Sequence, residues 1–149
     1  MTAAIEFPST TPHFALPLLF SGQAQKEFYI NQAISVIDSM LQGGVSDSLA
    51  TPPDNPSEGE AFRVLPSSTG VWAQREEQLA IWIGGSWHYV QPALGMMIFD
   101  RAASIILYFN AGWQTASEPA VPVGGTNVDN EARAAISDLI SALKTMGIF

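Results

Sequence analysis

The chain has 149 residues, six Lys and Arg against fourteen Asp and Glu, a net charge of −8 and no cysteine. That length implies one domain, and the missing cysteines exclude disulfides, thiolate zinc sites and thiol catalysis. So few scattered cations argue against nucleic acid and anionic membrane as partners, since both are held by clustered Lys and Arg.

Charged residues are 13% of the chain and apolar ones 47%; the charged share is about half the usual one. Sparse charge on an ordinary core points to a surface partly covered by other subunits, or rich in neutral polar groups. The two histidines, His13 and His88, are too few for a histidine-rich metal site. No apolar run approaches the roughly 20 residues of a spanning helix. Met1 to Thr11 has neither a basic nor an apolar signal region, so no signal peptide is expected.

Residues 1–21 hold Pro8, Pro12 and Pro17, which lack the N–H a helix needs, and read as an extended arm. Phe14, Leu16, Leu18, Leu19 and Phe20 carry too much apolar surface to leave in water, so the arm should lie on this domain or on a neighbouring subunit. Residues 23–41 read as a helix with Ser21 as N-cap and Gly43-Gly44 as stop. Ile30, Ile34, Ile37 and Leu41 form its apolar stripe, with Ala33 and Met40 beside them, and Asn31 and Asp38 fall off it.

Residues 45–51 suggest a short strand, 51–60 a turn-rich loop, and Ala61–Leu65 a second strand before the turn at 66–70. Leu79–Ile83 and Ser86–Val90 flank Gly84-Gly85, a two-residue hairpin turn whose glycines are free to take positive φ. Trp87 and Tyr89 should share a face, with Trp82 opposite. A second hairpin is expected over Gly95–Asp100 and Ser104–Asn110, then a last strand at Trp113-Gln114. Residues 115–126 read as a Pro/Gly linker. A helix over about 129–146 follows, capped by Asp129 or Thr126 and closed by Gly147. Ala132, Ile136, Leu139, Leu143 and Met146 make a heptad seam in it.

The fold class is therefore α+β: a small antiparallel β meander or barrel-like body with an N-terminal arm and helix and a C-terminal helix. The division is an arm over 1–21, a body over 22–114, a linker over 115–126 and an assembly helix over 127–149.

Signs of catalysis are sparse. Gly84-Gly-Ser-Trp-His88 has the look of a nucleophile elbow, but His88 replaces its last glycine and it lies in a hairpin, not a strand-to-helix turn. Strand alternation puts Ser86 and His88 on one face, so a hydrolase is a remote alternative. Phosphate-loop, dinucleotide and EF-hand patterns are absent. No cofactor or metal is expected. Trp82, Trp87, Tyr89 and Trp113 offer a second alternative, stacking on sugar rings, against the plainer reading of aromatics that fill a core.

The stretch Ala15-Leu-Pro-Leu-Leu-Phe-Ser-Gly-Gln-Ala-Gln-Lys-Glu27, continuing to Asn31-Gln-Ala33, resembles a family of alphaproteobacterial phage and gene-transfer-agent proteins. Its signature reads A-L-P-L-L-x-x-G-Q-A-Q-K-E-x-x-x-N-x-A. Ala50–Pro53, Glu58-Gly59, Trp82–Trp87 and Gly95–Asp100 are similar too, so the resemblance covers about residues 13–114. It implies a virion component made in the bacterial cytoplasm: a head spike or fibre base subunit that joins capsid or fibre proteins and contacts host-surface polysaccharide. Within the motif, Gln23, Gln25, Lys26, Glu27 and Asn31 read as structural hydrogen-bonding residues without assigned chemistry. Phe14, Leu16, Leu18 and Leu19 of the arm, with Ile136, Leu139, Leu143 and Met146 of the last helix, are the expected contacts of a threefold or fivefold homo-oligomer or of a capsid.

Overall fold

The computed structural model describes residues 9–19, 22, 26–125 and 129–149. The expectations for residues 1–8, Phe20, Ser21, Gln23, Gln25 and Thr126 lie outside the described residues. The elements are α1 (Lys26–Leu41), β1 (Gly44–Val45), β2 (Asp47–Leu49), β3 (Ala61–Val64), a single 3-10 turn (Gly70–Trp72), β4 (Leu79–Ile83), β5 (Ser86–Val90), β6 (Met97–Asp100), β7 (Ile105–Phe109), β8 (Trp113–Gln114) and α2 (Asn130–Thr145). They build a small α+β fold whose two four-stranded sheets run β1-β6-β7-β8 and β2-β3-β4-β5.

Both expected hairpins form, but they lie in separate sheets and not in one meander or barrel: β3-β4-β5 and β6-β7-β8 are each antiparallel throughout. The first strand of each sheet departs from that pattern. Instead of one strand over 45–51, the chain makes two and changes sheet at Ser46. β1 lies parallel to β6, with Gly44 opposite Phe99, and β2 parallel to β3, with Asp47 opposite Phe62. The Ser46 amide donates to the Ala61 carbonyl at this crossing. A second polar stitch crosses between the sheets: Ser48 of β2 donates to the buried Asp100 of β6 and accepts from Arg63 Nε.

Alternation along the strands fills two apolar clusters. Val45, Ala61, Leu79, Ile81, Ile83, Ile98 and Leu107 form the core between the sheets, with Val36 and Met40 of α1 packed on it. Phe62, Val64, Trp72 and Ala80 form the other, on the opposite face of the β3–β4 pair, joined by Leu49, Trp87 and Tyr89. The two-residue turn sets Trp82 directly across from Trp87. Directly paired residues share a face, so Trp82 lies with Trp87 and Tyr89, not opposite them.

The apolar stripe of α1 is not the face that packs. Its buried residues are Ser35, Asp38 and Ser39, whereas Ile30, Ile37 and Leu41 stand exposed. The reason lies in the arm, which does not run out extended. Residues 9–19 fold back on themselves: Leu18 N–H donates to the Ser9 carbonyl, Thr11 N–H to that of Leu16, and a turn spans 12–14. A turned loop presents amides that only polar side chains can satisfy, so α1 rotates its polar side toward it.

The Asp129 carboxylate caps α2 by accepting from Ala132 N–H at 2.9 Å. Instead of freeing the helix, the linker doubles back along it. Arg133 donates to the carbonyls of Pro122 and Gly124, and Lys144 pairs with Glu118 at 2.8 Å. The helix meets the body at its C-terminal end, where Ile106 N–H donates to the Gly147 carbonyl.

Candidate functional site

The signature helix works as a clasp. Asp38, fully buried, accepts from the Thr11 hydroxyl at 2.7 Å and from the amides of His13 and Phe14 at 2.9 and 2.8 Å. Burial alone would push its carboxyl up, but these hydrogen bonds, with the nearby His13 ring, hold it below the ordinary carboxylate range. Two turns earlier, the Asn31 side chain brackets Leu19. Its oxygen accepts from the Leu19 amide at 2.8 Å, and its nitrogen donates to the Leu19 carbonyl at 2.9 Å. That is the pairing a neighbouring strand would supply. Glu27 accepts from Gly22 N–H at 3.0 Å. Lys26 is exposed at the helix start.

Gly59 receives the turn of the arm. His13 Nε2 lies 3.0 Å from its carbonyl, and the Ser39 hydroxyl donates there at 3.3 Å. A Cβ at Gly59 would sit 2.3 Å from Pro12 Cγ, and its φ of +79° also excludes most side chains, so only glycine fits.

Between the arm, α1 and the β4–β5 turn lies a groove of about 470 Å³. Leu18, Leu19, Phe28 and Ile83 give it apolar walls. Glu58 lies at the turn, where both its oxygens accept from Gly84 N–H. Ser86 and His88 meet in this groove, with Ser86 Oγ 3.1 Å from His88 Nε2. Gln32 of α1 completes a chain, its Nε2 2.9 Å from His88 Nδ1. The Ser86 hydroxyl donates to the Ile83 carbonyl at 3.2 Å. The His88 ring thus bridges the Ser86 hydroxyl and the neutral Gln32 amide. Among the described residues no group of three or more His, Asp or Glu could hold a metal ion, and no helix is long and apolar enough to cross a membrane.

The aromatics named for sugar stacking form no flat platform. Trp82 and Trp87 meet edge to face at 5.0 Å and 63°, and Trp72 meets Trp87 at 5.0 Å and 77°. Tyr89 is half-buried, its hydroxyl donates to the Val71 carbonyl, and Arg75 lies 4.5 Å over its ring. Trp113 belongs to the other sheet, packs on Phe109 and donates its indole N–H to the Glu77 carbonyl. Stacking needs exposed, coplanar rings. These four are half-buried, and the two that meet do so edge to face.

The expected contact residues divide. In the arm, Phe14 is exposed, while Leu16, Leu18 and Leu19 are half-buried against their own domain. In α2, Ile136, Leu139 and Met146 are exposed and Leu143 is half-buried, while Ile140 on the other side is buried. Sequence reasoning missed Asp38, Thr11, His13 and Gln32. The available signal was Asp38 itself, a carboxylate in the last turn of a helix, among Val36, Ile37, Met40 and Leu41.

A family model described as a protein of unknown function (DUF2793) matches residues 30–114. The chain belongs to that family. The matched stretch runs from α1 to β8, so it takes in both sheets and leaves out the arm and α2. No curated protein matches the chain.

Proposed function

We propose that this protein is a structural virion subunit, a head spike or fibre base component of a tailed phage or phage-like particle, which assembles with copies of itself. The observation that carries this reading is the seam of α2. Ile136, Leu139 and Met146 stand 44, 59 and 64% exposed at heptad spacing, on a helix that meets the body at one end. Burying a leucine-sized side chain is worth about 1.5–3 kcal/mol, and an apolar seam at a/d positions is the pattern that packs against a parallel copy. The resemblance of the Ala15–Ala33 stretch to phage and gene-transfer-agent proteins supplies the virion setting. The outward stripe of α1 adds a second apolar surface for capsid or fibre contact.

Light scattering on the full chain tests the assembly. The expected mass is a multiple of 16.0 kDa. The double variant Leu139→Asp, Met146→Asp should lower it without changing the tryptophan emission of the body. A wild-type chain that stays monomeric at all concentrations overturns the reading. Labelling of purified particles with an antibody to this chain tests the virion setting, and unlabelled particles overturn that part.

A further inference from the structure

Four strands lie at sheet edges: β1, β8, β2 and β5. β1 and β8 have two residues and β2 three, but β5 has five. Short edge strands, charges, prolines and bulges are how folds keep edges from pairing. The first device protects three edges here. β5 uses none of them: Ser86-Trp-His-Tyr-Val90 carries no Lys, Arg, Asp, Glu or Pro and pairs with β4 in unbroken register.

The register also says which backbone groups are free. Trp82 N–H donates to the Glu60 carbonyl and the Trp82 carbonyl accepts from Gly59 N–H, so the backbone of Trp82 faces away from β5. The Trp82–Trp87 pair is therefore a non-hydrogen-bonded one, as is Ala80–Tyr89 two residues on. Trp87 and Tyr89 thus point their N–H and C=O groups outward, and among the described residues nothing bonds to them.

We infer that β5 pairs with β5 of a second copy, antiparallel about a twofold axis at His88. In that register Trp87 faces Tyr89 of the partner subunit as a hydrogen-bonded pair, and Tyr89 faces the partner's Trp87. Every outward donor and acceptor of the two residues is then satisfied by β5 residues of the partner, which no other antiparallel self-register does for both. The pairing sets Trp87 against the partner's Tyr89 on the aromatic face, a favourable cross-strand combination. His88 meets the partner's His88 on the other face, and Ser86 meets the partner's Val90. The contact uses a different surface from the α2 seam and does not depend on it.

The test uses the full chain carrying Leu139→Asp and Met146→Asp, which removes the seam. Mass by light scattering and backbone amide exchange by NMR are read across concentration. The expected result is a dimer at high concentration, with protection rising at the Trp87 and Tyr89 amides and unchanged at Ser86, His88 and Val90. His88→Lys places like charges directly opposite each other and should weaken the dimer at least about tenfold. Ser86→Lys, at an exposed position, serves should the first variant disturb folding. Amides of Trp87 and Tyr89 that exchange equally fast at every concentration overturn the inference, whatever the mass. Protected amides in a chain that still shows the wild-type mass would uphold it and sink only the seam.

Discussion

Without the Asp38 carboxylate, the Thr11 hydroxyl and the amides of His13 and Phe14 lose their acceptor. A buried donor left unpaired costs about 1–3 kcal/mol, so Asp38→Ala should lower stability by about 3 kcal/mol in urea unfolding and deprotect the amides of 11–16. The carboxyl is held below its ordinary value of about 3.9, so the folded state favours its charged form. Its contribution is complete above the ordinary value and is lost as pH falls below it. The urea midpoint should therefore drop on acidification below about pH 4 by more in the wild type than in Asp38→Asn. Trp72 makes a contrasting case. It is fully buried, yet its indole N–H finds no acceptor among the described residues. Trp72→Ala should cost about 3–5 kcal/mol, while Trp72→Phe, which removes the unpaired N–H and keeps a ring, should cost well under half of that in the same assay.

At the scale of elements, α1 and the β4–β5 hairpin stand at opposite ends of legibility. The hairpin forms over the residues that Gly84-Gly85 and two β-prone runs dictate, because turn geometry is local. Helix α1 forms where its periodicity places it, but with the reverse orientation, because the orientation depends on direct hydrogen bonds to a loop 24 to 27 residues earlier in the chain. The seating of α1 leads to a prediction: Ile37→Lys should change chain stability by less than about 0.5 kcal/mol in thermal unfolding, because the position is exposed. A core position would lose several times as much. The sequence offered Asp129 or Thr126 as the α2 cap, and Asp129 is the one that accepts from Ala132 N–H. The linker's return along that helix was not legible, since it rests on Arg133 reaching carbonyls nine and eleven residues away.

Across the molecule, the two sheets share a core and are joined by polar stitches, of which the one at Asp100 is buried. Ser48 reaches from the second sheet to Asp100 of the first, and Asp100 also accepts from Ala103 N–H at 3.0 Å. Asp100→Ala should strand these donors and cost about 2–4 kcal/mol in urea unfolding, with both sheets still melting in one transition because their core is common. The groove beside this core brings Ser86 and His88 together, as strand alternation anticipates. Gln32, the residue that orients the ring, comes from another element 56 positions away in the chain. No spacing rule reaches that far, which is why the chain of hydrogen bonds could be half read and not completed.

Local chemistry settled the strands of the two meanders, both hairpins, the C-terminal helix, and the α+β class, since turns, caps and periodicity depend on neighbours in the chain. The tertiary structure decided which face of α1 turns inward, where the chain changes sheet and which aromatics share a side. It also decided which edge stays open. Each of these depends on competition between distant groups for burial and hydrogen-bond partners, and that competition is resolved only when the whole chain packs.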